Sequence, residues 1–338
     1  MKTVEKVIWG VIGAGNVCEV KSVPGMYKTA HSEVKTVMRR TAEKAEDFAR
    51  RHRVPNWTTD ADDIFNDPEI NAVYIATPPD SHCELTLRAA AAGKAVYVEK
   101  PMANTLEECQ KMIDACQKAD VPLFVAYYRR ALPGFNRLRE IIESGKIGVV
   151  RFVDVEMWRA PRSYDLNTTG NWRVFPEISG GGHFHDLASH QLDYLDSVFG
   201  KIVEAKGIAR NQAGLYPADD MVSGSFVFES GVVGSGTWCF SADASSEREI
   251  ITVLGSKGHL SFNTFNNPFK IEINTSAGKE IIETQHPEHI QQPLIQTVVD
   301  ELRGVGKCPS TGVSGARTTA VMSWIVKPPI SPYNDCSL

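Results

Sequence analysis

The chain has 338 residues, of which 42% are hydrophobic and 23% are charged, and its formal net charge is −5 at pH 7. This balance is typical of a folded protein with two domains and argues against an intrinsically disordered chain. Because there is no excess of positive charge, and no apolar run near the roughly 20 residues of a transmembrane helix, we expect neither a nucleic-acid partner nor a membrane span.

The N-terminus and the cysteines predict a cytoplasmic protein. The first apolar stretch runs into a glycine turn and not into a small-residue cleavage site, so it is typical of a strand and not of a secretory signal. The seven cysteines are odd in number and show no CxxC spacing. They therefore predict reduced thiols, with neither a disulfide framework nor a zinc knuckle.

Strand and helix patterns alternate over the first 125 residues. Short apolar runs predict strands at residues 7–12, 34–38, 72–76, 95–98 and 122–126. Helices are predicted from about residue 16 and at residues 41–52, 83–92 and 106–119, with Thr41 as an N-cap and Gly93 just beyond a helix end. This alternation predicts an α/β Rossmann domain over residues 1–125, with a doubly wound parallel sheet.

The pattern changes after about residue 148. Extended segments are predicted at residues 149–158, 202–210, 221–228, 232–240, 250–254, 259–262 and 269–273. Helices are predicted at 186–199, 290–303 and 315–326, and residues 327–338 should lack regular structure. We expect residues 126–338 to form an α+β domain for substrate binding and oligomerisation, with a large, mostly antiparallel open sheet. If the open face is apolar it needs a cover, which predicts a homodimer or homotetramer.

A glycine-rich turn at residues 13–18 follows the first strand and opens a helix. Gly13 permits the tight turn, and Gly15 lets backbone amides approach a pyrophosphate at the helix N-terminus. Cys18 stands where the strict fingerprint has its third glycine. The alternative is a glycine turn without a ligand, but its N-terminal position and the βα units downstream favour dinucleotide binding.

The choice of cofactor depends on the end of the second strand. An enzyme that prefers NAD has Asp or Glu there to accept from the ribose 2′-hydroxyl, whereas this chain has Arg39 and Arg40. Two guanidiniums suit a 2′-phosphate, so NADP(H) is favoured over NAD(H). The alternative interpretation is two solvated arginines in a loop before a helix.

Three further features follow predicted strands or open a helix. The first is the loop of residues 77–82, with Thr77, Pro78 and His82, and the second is Glu99-Lys100-Pro101, whose Lys100–Pro101 bond could be cis. The third is the glycine triplet at residues 180–182, followed by Asp186 and His190. Since these two residues are four apart, they are predicted to share one helix face.

Together these segments resemble the Gfo/Idh/MocA family of oxidoreductases over nearly the whole chain. The matching segments are GVIGAGNV, Arg39-Arg40-Thr41 followed by AEKAEDFA, TPPDSH, EKP, and the glycine triplet with its DxxxH spacing. The resemblance implies Lys100, Asp186 and His190 as the catalytic group. The cofactor contacts are then assigned to Gly13, Gly15, Asn16, Val17, Arg39, Arg40, Thr77, Pro78, His82, Glu99 and Lys100. Asn171-Trp172-Arg173, with the two arginines, looks most like the 1,5-anhydrofructose reductase branch, which uses NADPH.

Each member of this catalytic group has a physical role in moving hydride and proton from a carbinol. His190 has the unperturbed pKa nearest neutrality and suits a general acid/base. Lys100 would place positive charge near the developing alkoxide, and Asp186 would orient His190 or bind a substrate hydroxyl. Taken alone, His190 could be a buried helix histidine. A metal cluster with His183 and His185 is disfavoured, because an HxH pair needs a strand whereas Asp186 and His190 need a helix.

Aromatic and arginine side chains suit a sugar-sized pocket, although each could instead pack at the domain junction. These candidates for substrate binding are Tyr128, Arg129, Trp158, Arg162, Tyr164, Trp172 and Arg173. The sequence therefore predicts an NADP(H)-dependent oxidoreductase acting on a sugar, an anhydrosugar or a cyclic polyol. The alternatives are a non-catalytic dinucleotide sensor and a glycosidase that uses tightly bound NAD.

Overall fold

The computed structural model describes residues 3–166 and 171–326. The chain divides into two compact units, of which the first contains the residues up to Asn136 together with His286–Ala316. The second contains Arg137–Gln285 and continues from Arg317. This division differs from the predicted boundary at residue 125, because a late segment of the chain returns to the first unit.

The returning segment is attached by backbone hydrogen bonds to both ends of the first unit. Val4 N donates to Leu302 O at 3.0 Å, and Val125 N donates to Ser310 O at 3.3 Å. The Ser310 hydroxyl donates back to Val125 O at 2.7 Å. The amphipathic pattern of a helix predicts that it covers an apolar surface but does not identify that surface. The assignment of residues 286–316 to the first unit therefore required the structure.

The first unit contains a parallel sheet with helices between its strands. Its strands are β1 (Val7–Ile12), β2 (Ser32–Met38), β3 (Asn56–Thr58), β4 (Ala72–Ile75), β5 (Ala95–Val98) and β6 (Leu123–Val125). Its helices before residue 120 are α1 (Val23–Lys28), α2 (Ala42–His52), α3 (Asp62–Phe65), α4 (His82–Ala91) and α5 (Leu106–Lys118). The strand order is β3-β2-β1-β4-β5-β6, with every pair parallel. The predicted Rossmann domain is confirmed.

The strand order places a crevice at the carboxyl ends of β1 and β4. The chain leaves β1 towards β2 on one side and reaches β4 on the other, so this is the switch point where such sheets bind ligands. β4 and β5 are buried along their whole lengths, which explains their continuous apolar sequences AVYI and AVYV. β3 was not predicted, because two of its three residues are exposed and it has no apolar run.

The second unit begins within helix α6 (Pro133–Glu143) and contains the larger sheet. Its strands are β7 (Val150–Trp158), β8 (Ile202–Arg210), β9 (Met221–Phe228), β10 (Val233–Cys239), β11 (Arg248–Gly255), β12 (Gly258–Phe262), β13 (Phe269–Thr275) and β14 (Gly278–Thr284). The later helices are α7 (Ser163–Leu166), α8 (Pro176–Ser179), α9 (Ser189–Phe199), α10 (Gln292–Leu302) and α11 (Gly312–Val326). The sheet order is β14-β13-β12-β11-β7-β10-β9-β8, and only β7 and β10 pair in parallel. The mostly antiparallel sheet is confirmed, whereas α6 and β14 were not predicted.

One face of this sheet packs against the segment of residues 184–199 that carries the DxxxH residues. The Trp238 indole of β10 donates to Gln191 Oε1 of α9 at 2.7 Å, and the Phe184 ring meets the Trp238 ring edge-on at 5.1 Å. The opposite face presents alternating polar residues, among them Asp154 and Ser235, which are cross-strand neighbours. No helix in the described ranges is long and apolar enough to cross a membrane. Residues 327–338 lie outside the described residues.

Candidate active site

The glycine turn after β1 contains Gly13 and Gly15, which differ in the space that a side chain would have. Gly13 has φ +83°, and a Cβ there would lie 2.7 Å from Thr77 Cγ2 and 2.9 Å from the Thr77 amide nitrogen. Gly13 is therefore required by the close approach of the loop after β4. A Cβ on Gly15 would meet only Gly13 O, at 3.7 Å. The protein itself leaves space above Gly15.

That space fits a phosphate group. Helix begins at Asn16, and the first amides of a helix have no intrahelical acceptor, so the N–H groups near Asn16 and Val17 are free to bind an anion. Behind the turn the Cys18 side chain is fully buried, and burial raises the pKa of its thiol to about 12. Cys18 is therefore a neutral, small packing residue at the position of the third glycine. These residues fit the pyrophosphate of a dinucleotide.

Arg39 and Arg40 follow β2, beside this turn. The amides of Gly13 and Ala14 both donate to Met38 O at 3.1 Å, which joins the end of β2 to the turn. The Arg39 side chain is half-buried and the Arg40 side chain is exposed. Neither guanidinium has an ion pair or a side-chain hydrogen bond within residues 3–166 and 171–326.

The loop after β4 is joined to the loop after β5 by His82. Its Nε2 lies 2.9 Å from Thr77 O, its Nδ1 lies 3.1 Å from Pro101 O, and the ring is fully buried. Burial is the main cause that lowers the pKa of His82, against the raising effect of these carbonyl groups. His82 was predicted to contact the cofactor, but both ring nitrogens face backbone carbonyls. It acts in this unit as a bridge between two loops, and Thr77 and Pro78 remain at the switch point.

Glu99 is a buried carboxylate with several hydrogen-bond donors. Its Oε1 accepts from Tyr74 OH and from Gln291 Nε2, each at 2.6 Å, and its Oε2 accepts from the Lys100 amide at 3.2 Å. Tyr97 OH donates to Gln291 Oε1 at 3.2 Å. We call Tyr74, Tyr97, Glu99 and Gln291 the carboxylate network. It fixes the backbone from which Lys100 projects, and the peptide bond after Lys100 is cis, as the sequence allowed.

Asp186 lies in a π-helical turn, Phe184–Ala188, that precedes α9. Such turns contain one residue more than an α-helical turn and occur often at functional sites. Arg173 Nε donates to Asp186 Oδ2 at 3.0 Å, and the guanidinium carbon of Arg173 lies 4.4 Å from the Trp172 ring centroid. Of the two predicted residues in the Asn171-Trp172-Arg173 segment, Arg173 therefore holds the Asp186 carboxylate, and the Trp172 ring lies against the Arg173 guanidinium.

A cavity of about 390 Å³ opens beside Asp186 in the second unit. It is lined by arginine, acidic, histidine and aromatic residues, namely Arg159, Ala160, Arg162, Tyr164, Asp165, Asn171, Arg173, His183, Asp186, Leu187 and Phe240. Arg162, Tyr164 and Arg173 were predicted for substrate binding. Arg159 and Asp165 were not, because nothing near them in the sequence forms a motif.

Asp165 and His183 form a buried pair in the wall of this cavity. His183 Nε2 lies 2.8 Å from Asp165 Oδ1, and Asp165 is 2% exposed. His185 instead packs against Gly181, where a Cβ would lie 2.2 Å from its ring, and burial lowers its pKa to about 4. In the described parts of the chain, no three His, Cys, Asp or Glu side chains come together as metal ligands.

The other predicted substrate residues have packing contacts. Tyr128 and Arg129 are 6% and 3% exposed, and the guanidinium carbon of Arg129 lies 4.9 Å from the Tyr128 ring centroid. The Trp158 indole donates to Thr237 Oγ1 at 3.2 Å. His190, on α9, is 5% exposed and meets the Phe265 ring edge-on at 5.9 Å. Lys100 belongs to the first unit and Asp186 and His190 to the second.

The fold and the phosphate turn are those of a dinucleotide-binding protein, and comparison with known proteins identifies its family. Residues 7–127 match the GFO_IDH_MocA model of an oxidoreductase family with an NAD-binding Rossmann fold, and residues 135–261 match the GFO/IDH/MocA C-terminal domain. The chain belongs to the Gfo/Idh/MocA family, and it is an oxidoreductase with a nicotinamide-nucleotide-binding domain.

Two relatives and one solved structure illustrate this relationship. The chain is 39% identical to Oxidoreductase P35 of Formosa agariphila over 94% of this chain and 97% of that protein. It is 27% identical to 1,5-anhydro-D-fructose reductase of Ensifer adhaerens over 94% of this chain and 95% of that protein, so the resemblance to that branch is distant. The fold is similar to that of an aldose-aldose oxidoreductase from Caulobacter crescentus complexed with glycerol, with TM-score 0.84, 22% identity and coverage of 95% and 96%.

Proposed function

We propose that this protein is an NADP(H)-dependent oxidoreductase that transfers hydride between the cofactor and a carbinol or carbonyl carbon of a sugar, an anhydrosugar or a cyclic polyol. The observation that carries the proposal is the space above Gly15, at the switch point of the sheet beside the Glu99-Lys100 loop. The reductase of Ensifer adhaerens, which is named for an anhydrosugar, supports the class of substrate.

The preference for NADP(H) rests on Arg39 and Arg40. Both side chains follow the strand whose end faces the ribose in dinucleotide-binding folds, and no carboxylate of the described chain neutralises them. A ribose 2′-hydroxyl can accept a single hydrogen bond from a guanidinium without any charge attraction, whereas a 2′-phosphate accepts bidentate, charge-assisted hydrogen bonds from both.

The nicotinamide, when bound, supplies the donor or acceptor of hydride. Lys100 contributes a positive charge that stabilises an oxyanion at the reacting carbon, and the carboxylate network holds its backbone. His190 takes the proton from the carbinol oxygen in oxidation and returns it in reduction. Asp186, fixed by Arg173, binds a neighbouring hydroxyl or orients His190.

Substitution of the two proton- and charge-bearing groups tests this mechanism. We expect Lys100→Met and His190→Asn each to lower kcat by about 10²–10⁴-fold, the range of a positioned general acid/base or oxyanion group. The dissociation constant for NADPH should stay within about threefold, because the phosphate turn is untouched. Turnover is followed by nicotinamide absorbance against a panel of keto-sugars, anhydrosugars and polyols.

The matched control is Lys118→Met, which removes an exposed lysine on α5. Wild-type turnover in both active-site variants would contradict the mechanism. Binding of NADPH without turnover of any substrate in the panel would contradict the proposed activity itself and favour a dinucleotide sensor.

A further inference from the structure

Three guanidiniums line the cavity beside Asp186, and two of them are neutralised within the protein. Arg162 pairs with Glu247 at 2.8 Å, and Arg173 pairs with Asp186 at 3.0 Å. The Arg159 side chain is half-buried and has no ion pair or side-chain hydrogen bond with any residue that the structure describes. Arg159 is therefore the one guanidinium of these three that pairs with no side chain among the described residues.

The remaining carboxylate in the wall is fully occupied. Asp165 is 2% exposed and accepts hydrogen bonds from the Arg162 amide at 2.8 Å and from Asn171 Nδ2 at 2.9 Å, in addition to its bond with His183. The oxygens of Asp165 thus have three donors already, and Asp165 forms no ion pair with Arg159. The Arg159 guanidinium therefore remains available to an anion that enters the cavity.

The backbone presents Arg159 from a fixed position just after β7. Its amide donates to Cys239 O at 2.8 Å, and its carbonyl accepts from the Ala242 amide at 3.1 Å. The next amide, of Ala160, donates to Glu247 Oε1 at 3.0 Å. Glu247 thus anchors this segment while it neutralises Arg162.

We propose that Arg159 binds the carboxylate of an acidic sugar substrate, and that the enzyme prefers sugar acids to their neutral counterparts. This inference rests on the proposed function, since it names the substrate class of that site. A guanidinium binds a carboxylate through two parallel hydrogen bonds. One guanidinium without a partner among the described residues matches one carboxylate, whereas the second negative charge of a phosphate dianion would meet only arginines that are already paired.

Paired sugars test the inference directly. The binding of D-glucuronate, D-galacturonate and D-mannuronate is measured by calorimetry in the presence of NADP⁺ and compared with that of D-glucose, D-galactose, D-mannose and D-glucose 6-phosphate; turnover is measured with the same panel. We expect at least one sugar acid to bind about 10–100 times more tightly than its neutral counterpart, the usual range for one charge-assisted contact.

Variants separate charge recognition from a general loss of structure. Arg159→Met should remove the preference for the acid and leave the binding of the neutral sugar within about twofold, and Arg159→Lys should retain part of the preference because it keeps the charge but not the planar fork. Arg151→Met is the matched control, since Arg151 is an exposed arginine on the neighbouring strand β7.

The outcomes distinguish this inference from the proposed function. If neutral sugars react and no sugar acid binds more tightly than its counterpart, the function stands and the role of Arg159 is wrong. Tighter binding of the sugar phosphate, or equal losses for acid and neutral sugar in Arg159→Met, also overturns it. If a sugar acid binds through Arg159 and nothing is oxidised or reduced, the recognition stands and the proposed activity fails.

Discussion

Single side chains decide the chemistry that the candidate residues of each unit can perform. Arg39 and Arg40 stand at the end of β2 with no partner in the described chain, so their charge is available to a ligand. Arg173 and Asp186 are the opposite case, because they neutralise each other at 3.0 Å and Asp186 keeps a defined orientation. An unpaired guanidinium is thus available to bind an anion, whereas a paired one holds a carboxylate of the protein in place.

The cofactor preference predicts the effect of removing the two arginines. In Arg39→Ala/Arg40→Ala we expect KM for NADPH to rise about 10–100-fold, because two charge-assisted hydrogen bonds to the 2′-phosphate are lost, and KM for NADH to change by less than about threefold. Steady-state kinetics with both cofactors measure this. Lys44→Ala, an exposed cation on α2, is the control. Equal use of NADH and NADPH by the wild type would contradict the preference.

His185 predicts a loss of stability in mild acid. Burial lowers its pKa from 6.5 to about 4. Below pH 6.5 the unfolded chain therefore binds a proton that the folded protein does not bind until about pH 4, so the free energy of unfolding falls as the pH falls through this window. Between pH 7 and pH 5 this group should cost about 2 kcal/mol.

Urea unfolding of the wild type and of His185→Gln at several pH values isolates that contribution. Glutamine is polar and of similar size but does not titrate, so the variant should lose about 2 kcal/mol less than the wild type between pH 7 and pH 5. Parallel curves for the two proteins would show that His185 is not the group responsible.

At the level of elements, the loops after parallel strands hold the site by contacts with distant segments. His82 at the start of α4 binds the loop after β5, and Gln291 just before α10 binds Glu99. The second contact joins residues 192 apart in the chain. The segment that returns to the first unit therefore contributes directly to the position of Lys100.

The carboxylate network predicts that Gln291 acts as a positioning residue. Gln291→Leu removes a buried donor to Glu99, and we expect it to lower the free energy of unfolding by about 1–3 kcal/mol. It should also lower kcat while KM for NADPH changes by less than about threefold, because the phosphate turn is intact. Tyr74→Phe removes the second donor and keeps the ring, so its effect should resemble that of Gln291→Leu.

Gln296→Leu, on the helix α10 that follows Gln291, is the control for this experiment, since Gln296 bonds to Asp300 and not to the network. A double-mutant cycle between Tyr74 and Gln291 should be non-additive, as both act on one carboxylate oxygen. Strict additivity with unchanged kcat would limit the network to a role in stability.

At the level of the whole molecule, one face of the larger sheet carries partly exposed side chains along β7, β10 and β11 in the described part of the chain. Its register makes Phe152 the cross-strand neighbour of both Val233 and Leu254. Val233 and Leu254 are 45% and 42% exposed, so they form a partly exposed apolar cluster among polar residues. We propose that a second copy of this chain covers this cluster.

This proposal predicts a dimer at micromolar concentration and its weakening by one charge. Light scattering of Leu254→Glu should give a dimer dissociation constant at least about tenfold higher than that of the wild type. A buried, unpaired carboxylate is costly at an interface. Val305→Glu is the control, as Val305 is 66% exposed in the first unit. A monomeric wild type at about 10 µM would contradict the proposal.

Local sequence patterns sufficed for most elements of the fold. β1, β5, β8 and β9 have the predicted bounds, since apolar alternation and continuous apolar runs depend on near neighbours only. The glycine turn, the Glu99-Lys100-Pro101 segment and the DxxxH spacing were also visible, because each is contiguous. Helix α6 and strand β14 were not predicted. β14 is largely exposed, and it lacks an apolar face.

The sequence by itself thus determined a Rossmann domain, a mostly antiparallel partner domain, a dinucleotide turn and the family of oxidoreductases. Only the tertiary structure decided which unit α10 joins, that His82 bridges two loops, that Asp165 pairs with His183, and that Arg159 pairs with no side chain among the described residues. The physical reason is the same in each case. A pairing depends on which groups remain within hydrogen-bond distance after the chain has closed loops of up to about three hundred residues, and no local pattern records it.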